Sequence, residues 1–367
     1  YVHWQLTGRQ VLGVGEASGM FPIDPDACDY DAARLQKTQD LLAQHGAALD
    51  LRAILPAVLP AGASAGTLTP RGARLLDPTG TLQSGIPLCP PEGDAGTGMA
   101  ATNSVAVRTG NVSAGTSVFA MVVLEHPLRA VHPDLDLVAT PAGRPAAMVH
   151  VNTCTSDLDA WVRLLGPAAE AAGKPLTRDE QYALFYRAAL QAEPDAGGLV
   201  SFNCYSGEPV AGLETGRPML VRRPDARLTL PNLARAALYA AMAALRMGMD
   251  ILLQDEGVRL DSLLGHGGLF KVPVVGQKLL AGALGVPVTV RSTAGEGGPW
   301  GMALLAAYLA EKTGGETLEH YLADRVFAGS QGSTLPPDPA DSAGFARFLA
   351  DYRRALPVQR AAGEALT

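Results

Sequence analysis

Several features that would indicate common classes of protein are missing from this sequence of 367 residues. Its four cysteines include no CxxC pair, so neither a zinc site nor a dense disulfide framework is expected, and a reducing cytoplasm is favoured. The basic residues form no cluster and the formal net charge is −7, which argues against a nucleic-acid partner. No apolar run approaches the roughly 20 residues of a membrane span. The N-terminus has no signal-peptide pattern.

The usual catalytic motifs are missing as well. There is no GxSxG elbow, so a serine hydrolase is disfavoured. His150 and His266 have no second histidine at metal-ligand spacing, and we predict no metal bound by protein side chains. Cys89 has no neighbouring motif that would activate it as a nucleophile. The Gly267–Gly268 pair before a predicted helix lacks the lysine of a Walker A loop, so alone it is a weak phosphate signal.

What the sequence does contain is a regular pattern of helices and strands. With 47% hydrophobic residues, the chain is long enough for two domains with separate cores. A strand at 260–264, a helix at 274–284 and a strand at 286–290 predict a βαβ unit. The apolar periodicity at 231–253 predicts a core helix capped by Thr229, and that at 345–356 a final amphipathic helix. Asp29 or Asp31 is expected to cap an early helix, and Ser156 with Asp159 a later one.

The rest of the chain is organised around the stretch 88–117. It holds one carboxylate, Asp94, among glycines that let a ligand approach the backbone closely. From the residues alone, an N-cap role for Asp94 is the commoner explanation, and it is compatible with a role as catalytic base. The SAGTS segment at 113–117 predicts a strand, a turn and a strand. Such a turn is commonly an ordinary glycine hairpin, but its N–H groups and hydroxyls can also cradle phosphate.

The order of five motifs resembles the FGGY family of carbohydrate kinases, with a likeness to xylulokinases and ribulokinases. They are YVHWQLTGRQVLGVGEASGMF, LPAVLPAGASAGTLTP, GDAGTGMAATNSVAVRTGNVSAGTS, GGLVSFNCYSGEPVAGLETGRP and GGLFKVPVVGQKLLAGALGVPV. The closing segment FLADYRRALP is similar too. Each motif is weak alone, whereas their shared order makes the resemblance specific.

The resemblance implies an α/β fold of the actin and hexokinase superfamily, with two ribonuclease-H-like domains, the first of them incomplete. The predicted segments are 1–108 for the rest of the N-terminal domain, 109–311 for the C-terminal nucleotide-binding domain and 312–367 for a helical tail. The implied activity is transfer of the ATP γ-phosphoryl group, with Mg²⁺ arriving on ATP, to a sugar hydroxyl. A ketose such as a pentulose is the expected acceptor.

The resemblance also assigns roles to individual residues. Asp94 would be the general base, and Gly93 would adjoin the sugar. Gly115 and Thr116 would hold the terminal phosphates, while Gly267, Gly268 and the bulky Phe270 would contact the rest of the nucleotide.

Two differences from the family pattern set further expectations. The family's opening acidic Gly-Thr phosphate loop does not occur after Tyr1, so the 367-residue chain alone is expected to show weak or no sugar kinase activity. A sheet edge uncovered in this way favours self-association, such as a homodimer. Leu269 and Phe270 are bulky where the family usually has small polar residues near adenine. The alternative to a kinase is a nucleotide-binding, actin-like sensor or scaffold without catalysis.

Overall fold

The computed structural model describes residues 1–291, 297–330 and 332–366. The helices are α1 Val2–Thr7, α2 Val14–Met20, α3 Ala32–Gln44, α4 Leu51–Ile54, α5 Pro70–Leu76, α6 Asp94–Thr102, α7 Ser156–Arg163, α8 Leu165–Ala171, α9 Arg178–Ala189, α10 Leu230–Asp250, α11 Val275–Leu284, α12 Gly297–Glu311, α13 Leu318–His320 and α14 Pro339–Ala365. The strands are β1 Val11–Gly13, β2 Ile23–Asp24, β3 Asp29–Tyr30, β4 Ala57–Leu59, β5 Thr109–Ala114, β6 Val118–Val123, β7 Asp136–Ala139, β8 Pro145–Val151, β9 Leu199–Phe202, β10 Met219–Arg222, β11 Ser262–His266, β12 Val288–Arg291 and β13 Gly332–Leu335. Short 3₁₀ turns cover Ala196–Gly198, Pro209–Ala211 and Gly268–Phe270, and π-helical turns cover Ile251–Asp255 and Tyr321–Val326.

The chain forms two compact units, which confirms the α/β class with two bodies. Among the described residues, the first unit comprises Tyr1–Val107, Leu137–Ala147 and 297–330, and the second comprises Arg108–Asp136, 148–291 and 332–366. The predicted segments 1–108, 109–311 and 312–367 are continuous in sequence, whereas the units are not. The first unit also contains residues 137–147 and α12, which come later in the chain, and the second unit contains α14.

The first unit is built from short elements. β1 pairs in parallel with β4, and a small core of Ala17, Tyr30 and Leu35 lies beneath them. α3 begins where predicted, since the Asp31 carboxylate accepts the N–H of Arg34 at 3.0 Å. α6 packs closely against α12, because Gly301 leaves room for the backbone of α6 where a side chain would otherwise stand. No helix or strand was predicted for the opening 20 residues. They form α1, β1 and α2.

The second unit is centred on one sheet with the strand order β13-β12-β11-β5-β6-β8. β5 and β6 are antiparallel and are joined by residues 115–117, as the predicted strand, turn and strand require. β11 lies parallel to both β5 and β12, and α11 connects β11 to β12. The βαβ prediction is therefore confirmed. Gly285 ends α11 in the left-handed conformation.

The long helix of the second unit is capped by Thr229, whose side chain accepts the N–H of Asn232. Its interior is almost entirely buried. Contrary to the reading of the sequence, the helical stretch Leu230–Asp255 is long and apolar enough to meet the length and composition of a membrane span. However, 72% of its most apolar window is buried inside the protein, and the core helix of a globular protein meets the same criteria.

Three helix ends differ from the sequence predictions. Asp94 is the first residue of α6, whose N-cap is Gly93, and no side-chain cap bond forms. The predicted N-cap role of Asp94 is therefore wrong. α7 is preceded by Thr155 and also has no side-chain cap, so the predicted cap by Ser156 and Asp159 is wrong. α14 extends well beyond 345–356, and it begins at the cap Asp338.

Candidate functional site

Asp94 lies at the exposed N-terminus of an otherwise buried helix. All residues of α6 from Gly96 to Thr102 are buried, whereas Asp94 is exposed. The Thr97 hydroxyl donates to the carbonyl of Gly93 at 2.9 Å, which fixes the backbone just before Asp94. A carboxylate in the first turn of a helix is stabilised by the unpaired N–H groups there. Asp94 is thus a rigidly held acid that is open to solvent.

Glu92 anchors the segment that leads into Asp94. Its two carboxylate oxygens accept the N–H of Gly15 at 3.1 Å and of Glu16 at 2.8 Å, at the start of α2. A side chain at Gly15 would lie 2.5 Å from this carboxylate, and one at Gly13 would overlap it. Burial raises the pKa of Glu92 to about 7, although both N–H donors act in the opposite direction. No motif in the sequence marks Glu92 as a functional residue.

Glu92 and Gly93 are among the residues that line a cavity of about 490 Å³ in the first unit. Its lining combines apolar, aromatic, basic and acidic side chains, among them Trp4, Arg9 and Glu16. Pockets of this size suit small polar ligands, and charged groups beside an aromatic ring are typical of a polar substrate. The predicted substrate residue Gly93 therefore lines a cavity.

The predicted phosphate-binding residues Gly115 and Thr116 form an exposed turn between β5 and β6. Gly115 N–H donates to the carbonyl of Ser117 at 2.9 Å, which closes the turn. The carbonyl of Gly115 accepts the Thr155 hydroxyl at 2.7 Å, and that of Thr116 accepts the N–H of Cys154 at 2.8 Å. Both carbonyls of the turn thus accept hydrogen bonds from the segment Cys154–Thr155. A side chain added at Gly115 would meet no atom closer than 3.9 Å.

Gly267 packs directly on the first strand of that turn. In the parallel pair of β11 and β5, His266 is in register with Ser113, so both strands end at the same edge of the sheet. Gly267 has φ +98°, and a Cβ there would lie 2.5 Å from the carbonyl oxygen of Ala114. Only glycine fits this position. A Cβ added at Gly268 would lie 3.7 Å from the same oxygen, which is an ordinary van der Waals distance.

Phe270 is buried at the end of the 3₁₀ turn that follows the two glycines. Its ring fills the space above Gly265, where a Cβ would lie 2.4 Å from the nearest ring atom. Together with Gly267 and Lys271 it lines a cavity of about 310 Å³ in the second unit. Of the predicted nucleotide residues, Gly267 and Gly268 thus lie against Ala114, the residue before Gly115 and Thr116, and Phe270 shares a cavity with Gly267.

The same cavity contains residues that the sequence analysis did not single out for binding. Gln277 donates from Nε2 to the carbonyls of Val288 at 2.9 Å and Ser333 at 2.6 Å, so it joins β12 to β13. Val274, at the N-terminus of α11, has φ +74° and ψ −43°. A β-branched residue rarely adopts positive φ, and such strain concentrates at functional sites. The family-like KxPxxxQ spacing was the available signal for Gln277.

Glu208 is a buried carboxylate in the second unit. Oε2 accepts the N–H of Asn152 at 2.9 Å. Burial raises the pKa of Glu208 to about 7, although nearby backbone N–H groups act in the opposite direction. The SGE motif contains this residue, but the sequence analysis assigned it no role.

The side chains considered as metal ligands or nucleophiles have other surroundings. His266 is buried and lies 3.3 Å from the amide nitrogen of Asn111, as expected of a structural histidine. Burial raises the pKa of the Cys89 thiol, which disfavours a reactive thiolate. Over the ranges 1–291, 297–330 and 332–366, no group of three or more His, Cys, Asp or Glu could hold a metal ion.

Comparison with known proteins identifies a family model. Residues 110–310 match the C-terminal domain of the FGGY family of carbohydrate kinases. This match covers more than half of the chain. No curated protein sequence matches significantly.

Solved structures of kinases share the fold along nearly the whole chain. A xylulose kinase from Rhodospirillum rubrum has a TM-score of 0.71 at 22% identity, with 97% of this chain and 65% of that chain covered. A gluconate kinase from Lactobacillus acidophilus has a TM-score of 0.74 at 16% identity, with 99% and 67% covered. A Plasmodium falciparum glycerol kinase with ADP has a TM-score of 0.69 at 15% identity, with 98% and 65% covered. The chain spans about two thirds of the length of these proteins.

Proposed function

This chain belongs to the FGGY family of carbohydrate kinases, and we propose that it transfers the γ-phosphoryl group of ATP to a sugar hydroxyl. The observation that carries the proposal is the edge of the second unit's sheet where β5 and β11 end together. There, Gly115 and Thr116 lie beside Gly267 and Gly268, next to the cavity lined by Phe270.

The chemistry of phosphoryl transfer suits this arrangement. Such transfer is catalysed mainly by positioning and by donors that meet the charge developing on the phosphate. The exposed 115–117 turn offers backbone and hydroxyl donors. Gly267 packs closely on Ala114 and has no side chain, so the backbone beside it is not covered by a side chain of its own. The residues present therefore fit ATP. Mg²⁺ would be held mostly by the phosphates and water, as is usual for this ion.

Asp94 is the proposed general base that accepts the proton of the attacking sugar hydroxyl. Its exposure and rigid support by Gly93 and Thr97 suit that role, and a positioned base contributes about 10²–10⁴-fold to the rate. A ketose such as a pentulose is the proposed acceptor. The cavity that Gly93 lines has charged side chains such as Arg9 and Glu16, which suit a polyhydroxylated ligand.

The test is Asp94→Asn in the full-length protein, with ADP release measured against a panel of ketoses and polyols. We expect sugar phosphorylation to fall at least a hundredfold, while ATP binding measured by calorimetry is retained, because an amide cannot accept the proton. Asp40→Asn, an exposed change on α3, is the matched control and should leave turnover unchanged. Near-normal turnover of Asp94→Asn would contradict the assignment. Nucleotide binding by the wild type without ADP release on any sugar would favour the sensor or scaffold instead.

A further inference from the structure

A short loop lies behind the 115–117 turn and holds it in place. The loop runs from Asn152 to Thr155, between β8 and α7. Thr155 donates to the Gly115 carbonyl from its hydroxyl at 2.7 Å and from its N–H at 3.1 Å. Cys154 N–H donates to the carbonyl of Thr116 at 2.8 Å. The position of the turn therefore depends on the position of this loop.

Glu208 holds the other end of the same loop. Its Oε2 accepts the N–H of Asn152 at 2.9 Å, and the Asn152 side chain donates to the Gly207 carbonyl at 2.8 Å. The backbone and side chain of Thr153 act to lower the pKa of the Glu208 carboxylate, against the effect of burial. Glu208 is completely buried, and its own backbone pairs with Leu213 in both directions. Glu208 is therefore held in place itself, and its carboxylate anchors the loop at Asn152.

The second oxygen of this carboxylate has a different environment. Within the part of the chain that the structure describes, Glu208 Oε1 is buried and has no hydrogen-bond partner. The carboxylate acts electrostatically on Cys204 and Tyr352, and burial raises the pKa of both well above neutrality. Both are therefore uncharged near pH 7. Neither offers a positive charge that would explain a buried carboxylate here.

We propose that Glu208 is a positioning residue for the terminal phosphates of the nucleotide, acting through the loop Asn152–Thr155 on the 115–117 turn. The proposal rests on the proposed function, since the turn matters only if it binds phosphate. Glu208 touches neither predicted ligand residue. Its effect passes through one layer of backbone hydrogen bonds, which set where the exposed Thr116 points.

The proposal predicts a difference between two substitutions of Glu208. Glu208→Gln keeps one oxygen for the Asn152 N–H and places its amide group where Oε1 has no partner, so it should bind ADP within threefold of the wild type. Glu208→Ala removes the acceptor and should weaken ADP binding at least tenfold by calorimetry. It should also speed amide hydrogen exchange at residues 113–117 and 152–155. Glu208→Met fills a similar volume without accepting the Asn152 N–H, so a purely space-filling role predicts near wild-type ADP affinity for it, whereas a positioning role predicts the same loss as in Glu208→Ala.

Two further variants keep the test decisive. Thr155→Val removes only the hydroxyl bond to Gly115 and should weaken ADP binding severalfold in a folded protein, even if Glu208→Ala unfolds. Asp157→Asn changes a nearby buried carboxylate that is bonded to the side chains of Trp161 and Tyr205, so it should leave ADP affinity unchanged. Unaltered ADP affinity and exchange at 113–117 in both Glu208→Ala and Thr155→Val would overturn the inference. Absence of ADP binding by the wild type would overturn the proposed function itself, whatever the exchange data show.

Discussion

Each unit has one glutamate beside a predicted site, half-buried Glu92 in the first and buried Glu208 in the second, but the surroundings of the two carboxylates differ. In the first unit, both oxygens of Glu92 accept backbone N–H groups, and space is provided by missing side chains at glycines such as Gly13 and Gly15. In the second unit, Glu208 has one oxygen on the Asn152 N–H and the other without a partner among the described residues.

This difference shows that burial alone does not determine what a carboxylate contributes. Burial raises the pKa of both residues to about 7. Glu92, however, accepts two backbone N–H groups, and both of these hydrogen bonds favour its charged form, against the effect of burial. Glu208 Oε1 accepts no hydrogen bond among the described residues, so a neutral group there breaks none. The two residues should therefore respond oppositely when the charge is removed.

The largest expected effect is a dependence of stability on pH. The folded-state pKa of both glutamates is raised from 4.5 to about 7, so the unfolded chain releases these protons first. The free energy of unfolding contributed by each group should then fall between pH 4.5 and pH 7, by on the order of 3 kcal/mol. Calorimetric unfolding of the wild type and Glu208→Gln at pH 5, 6, 7 and 8 measures it.

The comparison with Glu208→Gln is needed because other carboxylates act in the opposite sense. Backbone N–H groups and His132 lower the pKa of Glu256 to about 2, and that contribution is lost only as the pH falls below 4.5. Such groups are common to both proteins and cancel in the difference. A difference in stability that stays constant from pH 5 to 8 would contradict the raised pKa of Glu208.

Gly13→Ala should be the most damaging single substitution considered for the first unit. The backbone of Gly13 suits alanine, with φ −66° and ψ 149°, but the added methyl group would overlap Glu92 Oε1. Displacing the carboxylate breaks two charge-assisted hydrogen bonds, at a cost of about 3 kcal/mol. Hydrogen exchange resolved to the first unit measures the loss.

Gly19→Ala is the matched control for Gly13→Ala, because it lies in α2 with no atom within 4 Å of the added methyl group. It should be neutral. The double variant Gly13→Ala with Glu92→Ala should recover part of the lost stability, since the overlap is removed. Equal stability of Gly13→Ala and Gly19→Ala would mean that Glu92 is not held as described.

Glu92→Gln and Glu208→Gln should differ in sign at pH 8. In Glu92→Gln the new amide N–H must face the N–H of Gly15 or Glu16, so we expect a loss of about 1–2 kcal/mol. Glu208→Gln removes a buried charge and breaks no hydrogen bond at Oε1, so we expect an equal or higher melting temperature. Differential scanning calorimetry of both variants tests this. Effects of the same sign and size would remove the distinction between the two units.

The smallest expected effect concerns strain in the second unit alone. Val274 adopts φ +74°, and its side chain is about half exposed, so little buried area is lost on truncation. Val274→Gly should stabilise the protein by up to about 1 kcal/mol, because the relief of backbone strain exceeds the entropy cost of glycine. Val131→Gly, at a 95% exposed position, is the control and should not stabilise. Destabilisation by Val274→Gly would contradict backbone strain at Val274.

Much of the local structure and the family resemblance could be predicted from the sequence. Helical periodicity and the cap Thr229 located α10, and the order of strand, helix and strand predicted the βαβ unit. The order of the motifs indicated the FGGY family, although no single motif was specific. These features are local, since they depend on residues within one or two turns of one another.

The tertiary structure decided which of those pieces meet and what holds them. Gly115 and Gly267 come together only because β5 and β11 pair in one particular register. Asp94 begins its helix rather than capping it. The bonds of Glu92 to α2 and of Glu208 to Asn152 span 76 or 77 and 56 residues of sequence. No periodicity or spacing encodes such contacts, because they arise from strand register and close backbone packing between segments distant in the chain.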